Sequence, residues 1–475
     1  MHTSPSYTAS YRLEVDESQT SIAAIIDAVS ETGAEIKGLD VADSDRGNMV
    51  LDLTCNMRDS AHRRQVRDVL DSLAGVTASS VADQTFLSHI GGKIEVASKV
   101  PLRNRDDLSR AYTPGVARVC TAIHDSPQKA HLLTMKANSV AVVSDGTAVL
   151  GLGDIGPEAA LPVMEGKAVL FKEFGGVDAW PVVLDTKDTE EIIAIVKAIA
   201  PAYGGINLED ISAPRCFEIE ERLRAELDIP VFHDDQHGTA IVVLAALINA
   251  LKLVNKKIED VRIVVSGVGA AGNAIIRLLL AQGAKDIVGY GRTGALAGDD
   301  TEGMHPSRKA LAEATNPRLV HGSLKEGIEG ADVFIGVSQG NILTGDDIAK
   351  MAPNAIVFAL ANPTPEVDPL AAGEHAAIVA TGRSDFPNQI NNVLAFPGLF
   401  RGLLDAKVKE ITTEVLRVAA NAIAEVITED ELSPSYIIPG VFDERVSPSV
   451  SRAVRRAVRD LPTIDIPVQE HLGTR

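Results

Sequence analysis

Glu209 and Asp210, in Asn-Leu-Glu-Asp-Ile, and Asp234 and Asp235, in Val-Phe-His-Asp-Asp-Gln-His-Gly-Thr-Ala, are the side chains best suited to chemistry in this chain. Carboxylate oxygens are hard ligands of the kind that magnesium and manganese take. Downstream, Val-Ser-Gly-Val-Gly-Ala-Ala-Gly-Asn-Ala sets Gly267, Gly269 and Gly272 at the spacing of a dinucleotide-binding turn. A metal beside a redox nucleotide would let one site oxidise an alcohol and then polarise the resulting carbonyl. By type and spacing alone, the four acids fit solvated faces or helix caps better than a ligand set. Adjacent Glu209 and Asp210 point apart on a regular helix or strand, so joint ligation requires an irregular segment. His233 and His237 have the i, i+4 spacing of a zinc pair, but Asp-Asp-Gln between them and Gly238-Thr239 after them do not support a regular helix.

The glycine turn is the stronger signal, because a strand is predicted before it (262–266) and a helix after it (273–282). Gly267 permits the tight turn, Gly269 lets backbone approach a pyrophosphate, and Gly272 allows close helix–strand packing. Amides at the helix start favour phosphate. NAD-binding domains usually carry Asp or Glu at the end of the second strand, for the ribose 2′-hydroxyl. Here Tyr290-Gly291-Arg292-Thr293 puts glycine at that position. Arg292 and Thr293 are placed to contact a 2′-phosphate, which favours NADP over NAD; the alternative is that Arg292 points to solvent.

Lys167, in Pro-Val-Met-Glu-Gly-Lys-Ala, is a candidate base where apolar surroundings destabilise its charged form. Tyr112, in Arg-Ala-Tyr-Thr-Pro-Gly-Val-Ala, immediately precedes a turn. Read alone, a surface lysine and a packing tyrosine fit these positions at least as well.

These residues need elements to position them. A chain of 475 residues is long enough for several domains. A net charge of −20 argues against nucleic acid or an anionic membrane as main partner. Cys55, Cys120 and Cys216 show no paired spacing, which argues against a disulfide scaffold or zinc ribbon and fits a reducing compartment. The first residues lack a basic stretch followed by an apolar run, and the longest apolar stretch, 240–251, is too short to span a bilayer. A cytoplasmic protein is expected.

Residues 1–86 predict strand 7–15, helix 21–32, strands 35–41 and 48–55, helix 60–73 and strand 76–81. This β-α-β-β-α-β order is ferredoxin-like and resembles the ACT domain, a ligand-sensing module; a dimerisation appendage without a ligand is the alternative. Residues 87–236 mix buried strands (140–144, 180–184) with helices (189–200, 214–227). Residues 237–394 alternate strands (262–266, 287–290, 333–337, 355–360, 378–380) with helices, implying a doubly wound parallel sheet. Residues 395–475 predict helices over 407–426 and 448–459 that pack back on the middle domain. The expected class is α/β: a Rossmann-like parallel sheet, a mixed α/β substrate domain and the ferredoxin-like front end.

Taken in order, Tyr-Thr-Pro-Gly-Val-Ala, Gly-Leu-Gly-Asp-Ile-Gly, Glu-Gly-Lys, Asn-Leu-Glu-Asp-Ile, His-Asp-Asp-Gln-His-Gly-Thr-Ala, the glycine turn, Ala-Asn-Pro-Thr-Pro-Glu and Asn-Asn-Val-Leu-Ala-Phe-Pro-Gly closely resemble malic enzyme over about residues 87–460. The resemblance implies oxidative decarboxylation of malate to pyruvate and carbon dioxide with reduction of NADP or NAD, and decarboxylation of oxaloacetate. It implies Glu209, Asp210 and Asp235 as ligands of Mg2+ or Mn2+, with Asp234 as a supporting acid near the lysine. Lys167 becomes the general base and Tyr112 the general acid. Asn362 and Asn392 become substrate-holding amides. The cofactor set comprises Gly267, Gly269, Ala270, Ala271, Gly272, Arg292, Ser338 and Asn362.

One departure stands out. Larger members of the family place a carboxylate-gripping arginine before Leu-Gly-Leu-Gly-Asp, where this chain has Thr147-Ala148-Val149. Two rivals remain at this level: a two-domain amino-acid dehydrogenase, which needs no metal, and a metabolite-sensing regulator that has lost catalysis. At least a homodimer is expected, with a small-molecule effector at the front end.

Overall fold

The computed structural model describes residues 3–45 and 47–464. Met1, His2, Arg46 and 465–475 lie outside the described residues, so the ends of the 1–86 and 395–475 segments are not covered. The chain divides into two compact units, Met1–Val96 and Ala97–Arg475.

The first unit is the predicted β-α-β-β-α-β arrangement. Strands β1 (Ser4–Asp16), β2 (Glu35–Asp45), β3 (Asn48–Met57) and β4 (Val76–Asp83) form an antiparallel sheet in the order β2-β3-β1-β4. Alternation along β1 buries Ala9, Tyr11, Leu13 and Val15 on one face with Leu51 and Leu53 of β3. Ile25, Val29, Val66 and Leu70 of the helices Ile22–Glu31 and Ser60–Ser72 close this core. On the opposite face Arg12 pairs with Asp52 across the β1–β3 register. The unit runs to Val96, past the expected boundary at 86, and after β4 Gln84 and Thr85 bond back to Ser10 and Ser6 of β1.

Among the described residues the second unit holds two sheets, parallel throughout except that β11 pairs antiparallel with β10. Strands β5 (Ser139–Ser144), β6 (Asp178–Val183), β7 (Gly205–Leu208) and β8 (Val231–His233) lie in the order β6-β5-β7-β8. The short β7 and β8, beyond the strands expected from sequence, are buried on every residue and so show no alternation to read. The second sheet contains β9 (Arg262–Ser266), β10 (Asp286–Gly291), β11 (Gly294–Ala295), β12 (Val333–Gly336), β13 (Ile356–Ala359) and β14 (Ile378–Thr381). Its order, β11-β10-β9-β12-β13-β14, reverses between β9 and β12, which opens a crevice at the strand ends.

Three helices complete this unit where two were predicted. The helix expected over 407–426 begins later, as Thr413–Ala424 capped by Thr412, and a further helix, Phe396–Ala406, precedes it and ends where Lys407 adopts φ 55°. Val446–Ala457 follows. Phe396 packs tilted and Phe400 edge-on against Phe171 of the helix Pro157–Gly175, and Phe400 also meets Phe232 of β8. Gly175 allows this approach: a Cβ there would lie 2.9 Å from the Pro397 carbonyl oxygen. The apolar stretch 240–251 belongs to a longer helical segment, Asp234–Leu253, whose 20 residues suffice by length and composition to cross a membrane. Most of it (72%) is buried in the core, which explains its apolarity.

Candidate active site

Because β5, β7 and β8 run parallel, the loops leaving their C-terminal ends lie side by side. These loops carry Asp145, then Glu209 and Asp210, then Asp234 and Asp235. Asp210 adopts φ 53°, in the left-handed region that costs an ordinary residue about 1–2 kcal/mol. This is the irregular segment that joint ligation required. Ligand oxygens of Glu209, Asp210 and Asp235 come within 4.8 Å of one another, and the Asp210 N–H donates to Asp235 Oδ2 at 2.8 Å. After β8 the chain enters a π-turn over Asp234–Gly238. His233 and His237 consequently face different acids, Asp235 at 3.7 Å and Glu220 at 2.8 Å.

Burial raises the Glu209 carboxyl well above its usual range; Lys167 opposes the shift and the neighbouring acids reinforce it. Burial first, and then Asp235, push Asp210 up to about 7. Asp210 Oδ2 is buried without a hydrogen-bond partner. Clustered buried carboxylates with an unfilled acceptor are what a divalent cation resolves, so these residues fit a metal.

Lys167, on Pro157–Gly175, extends Nζ to 2.6 Å from Asp234 Oδ2 and 2.9 Å from Glu209 Oε1. The Phe396 ring centroid lies 4.2 Å away. Burial works against the charged form, but Asp234 and Glu209 outweigh it and hold the ammonium above the ordinary lysine value. The expectation of an apolar pocket that destabilises the charge is therefore corrected: Phe396 offers an apolar face, but two acids meet the Nζ. Asn392 Nδ2 donates to Asp234 Oδ2 at 3.0 Å and exchanges bonds with Thr239. Gly238 is required here, since a Cβ would fall 1.9 Å from Asp234 Oδ1.

Tyr112 stands apart. It ends the helix Arg105–Ala111 at 70% exposure, and among the described residues its hydroxyl bonds to no member of the cluster. At the position of the missing arginine, the Thr147 hydroxyl joins Asp145 and receives a bond from Arg215. The Arg215 guanidinium is occupied by Asp145, Thr147, Ser212 and the Lys187 carbonyl.

Across the crevice, Gly267 has φ 101°, and a Cβ on it would strike the Val337 carbonyl oxygen at 2.5 Å. A Cβ on Gly272 would fall 1.7 Å from the Gly267 oxygen. Gly269, by contrast, faces open space, and Ala270 and Ala271 begin the helix Ala270–Ala281. The turn thus offers free backbone at a helix start and fits a dinucleotide pyrophosphate. Ser266 and Ser338 join hydroxyls at 2.9 Å, tying the two strands that flank the switch point. Gly151, in the Leu-Gly-Leu-Gly-Asp loop, has room for a Cβ only 3.5 Å from Pro363, so this loop and Asn362 face each other. Arg292 is exposed.

Several supporting residues escaped the sequence reading. Asn207 Nδ2 donates to Glu209 Oε2 at 2.8 Å; it sits within the quoted carboxylate motif. Phe396 and Glu366 also lie in quoted motifs. Glu366 is fully buried and accepts the N–H groups of Ser338 at 2.7 Å and Ala361 at 3.0 Å, binding together the loops after β12 and β13. Burial raises its pKa against the effect of those N–H bonds. Glu366→Ala is expected to destabilise the protein by about 2–4 kcal/mol, because it strands both donors and leaves a cavity. Urea denaturation checks this; a change under 1 kcal/mol, read against ordinary surface substitutions of about ±0.5 kcal/mol, would refute the clamp.

A glycine turn at the crevice of a doubly wound sheet, in the same unit as a carboxylate triad with a paired lysine, is the arrangement of a nucleotide-dependent dehydrogenase. Family models agree: residues 91–224 match the malic enzyme N-terminal domain and residues 236–459 the malic enzyme NAD binding domain. The chain is 58% identical over 446 residues to an NAD-dependent malic enzyme of Geobacillus stearothermophilus, covering 94% of this chain and 93% of that protein. It is 55% identical to a bifunctional malic/malolactic enzyme of Bacillus subtilis, over 78% and 90% of the two chains. The crystal structure of an NAD-dependent malic enzyme from Thermotoga maritima superposes with a TM-score of 0.76 at 51% identity, covering 79% of this chain and 99% of that one. The chain belongs to the malic enzyme family.

Proposed function

We propose that this chain oxidatively decarboxylates (S)-malate to pyruvate and carbon dioxide with reduction of NADP or NAD, and also decarboxylates oxaloacetate. The observation that carries the proposal is the convergence of Glu209, Asp210 and Asp235 beside the Lys167 ammonium. Bound at this triad, Mg2+ or Mn2+ would polarise the substrate C2 oxygen, and NADP or NAD at the glycine turn would accept hydride. Lys167 takes the C2 hydroxyl proton from its neutral form, which a cation held by Glu209 would favour by offsetting the carboxylate charge that otherwise keeps Nζ protonated. Asp234, buttressed by Asn392, aims its Nζ, while the Phe396 ring keeps water from one side. Asn392 and Asn362 hold substrate and the nicotinamide side. Tyr112 returns a proton to C3 after carbon dioxide leaves. A malate oxidation assay with each nucleotide should show manganese-dependent reduction that EDTA abolishes and manganese restores. Absence of turnover under all these conditions would instead support a non-catalytic regulator.

The working division is 1–86, an ACT-like module sensing a small-molecule effector; 87–236, the substrate and metal domain; 237–394, the nucleotide domain; and 395–475, the returning helices. The β2-β3-β1-β4 antiparallel order supports the first of these. A homodimer or higher homo-oligomer is supported by exposed apolar side chains at Val100, Leu102, Leu108 and Tyr112. The reducing-compartment reading of the cysteines supports a cytoplasmic setting.

A further inference from the structure

The nucleotide preference of a Rossmann-like sheet is decided largely at the end of its second strand, where a carboxylate ordinarily meets the ribose hydroxyls. That strand is β10, and its last residue, Gly291, has no side chain to offer. Its place is already taken. A Cβ built on Gly291 would lie 2.5 Å from Arg308 Nη2 and 3.6 Å from Arg308 Cζ, with Val268 of the glycine turn 3.4 Å away. The guanidinium therefore stands at the lip of the nucleotide crevice, where the carboxylate is missing.

Arg308 reaches this point from the first turn of the helix Pro306–Ala314, where its N–H donates to the His305 carbonyl. Its Nε is buried with no hydrogen-bond partner, and among the described residues it forms no ion pair. The guanidinium is half-buried, in a chain whose net charge is −20. Arg292, the neighbour in sequence, is by contrast exposed.

We propose that Arg308 is the residue that reads the 2′-position of the adenosine ribose and selects a 2′-phosphorylated adenine nucleotide. This deepens the NADP reading above and rests on it. A phosphate suits the site because a guanidinium can donate two parallel N–H bonds to it, whereas a 2′-hydroxyl offers no charge. The absent Cβ at Gly291 leaves the volume that the guanidinium fills.

Calorimetric titration of the full-length protein with 2′,5′-ADP and 5′-AMP tests this without turnover. The unsubstituted protein is expected to bind 2′,5′-ADP more tightly. Arg308→Gln should weaken 2′,5′-ADP by about 10- to 100-fold while leaving 5′-AMP within about 2-fold, and Arg292→Gln should leave the ratio standing. Gly291→Asp, which keeps Arg308 but gives it a carboxylate partner, should shift the ratio toward 5′-AMP and covers the case in which Arg308→Gln fails to fold. If the unsubstituted protein prefers 2′,5′-ADP yet Arg308→Gln preserves that preference, Arg308 is not the reader and the NADP reading survives. Equal weakening of both ligands by Arg308→Gln would make its role structural and overturn the proposal. No preference for 2′,5′-ADP in the unsubstituted protein would overturn the NADP reading and this proposal together.

Discussion

Lys167→Ala is expected to lower kcat/KM for malate oxidation by about 10²- to 10⁴-fold, the usual contribution of a positioned general base. The argument is geometric. Lys167 is the cation placed between Asp234 at 2.6 Å and Glu209 at 2.9 Å, beside the carboxylate triad. The same substitution leaves buried acids uncompensated, so metal-free Lys167→Ala should also lose stability, by about 3–5 kcal/mol where a buried pair is broken. Manganese should recover part of that loss, because it supplies charge to Glu209. Steady-state kinetics together with thermal melts, with and without manganese, separate the two effects. Near-normal malate oxidation by Lys167→Ala would remove it as the base. Tyr112→Phe should be milder at the redox step, sparing nucleotide reduction while slowing protonation of the enol at C3 to pyruvate.

Loss of the divalent cation should be as damaging. Manganese at about 100 times its Kd should stabilise the native protein by about 2.7 kcal/mol, since it binds the folded triad and has no preformed site in the unfolded chain. Asp235→Asn and Glu209→Gln each remove a charged ligand from the cluster. Both should abolish that rise in Tm and the manganese-dependent activity. An unchanged manganese response in both variants would sink the triad as the metal site. Asn207→Ala makes a graded control: it frees Glu209 Oε2 without removing a ligand, so manganese affinity should fall but remain measurable.

Much of this was legible in the chain itself. Strand β9 and the glycine turn coincide with their predicted positions, because glycine spacing between a strand and a helix is a local signal with a steric cause. The front unit was equally legible, since its central strands β1 and β3 each bury one face in alternation. Strands β7 and β8 were not, being short and buried throughout. Nor was the end of Phe396–Ala406 at Lys407, because a left-handed lysine carries no glycine or proline to announce it.

The candidate site divides in the same way. Residue types and motif order, by resemblance, identified Glu209, Asp210, Asp234, Asp235, Lys167 and the glycine turn as belonging together. Spacing could not show that Asp210 turns left-handed and brings the triad within reach of one ion. Nor could it show that Lys167 is held charged by two acids above an aromatic ring, or that Glu366 ties the two nucleotide-side loops. The arginine at Gly291 comes from position 308 and not from its sequence neighbour at 292. Sequence by itself determined which groups were available, because ligand hardness, turn sterics and helix capping are properties of residue types and short spacings. Tertiary structure alone decided which groups meet. Parallel strands deliver their loops to one edge of the sheet whatever their separation along the chain, and charge in a buried site depends on those meetings.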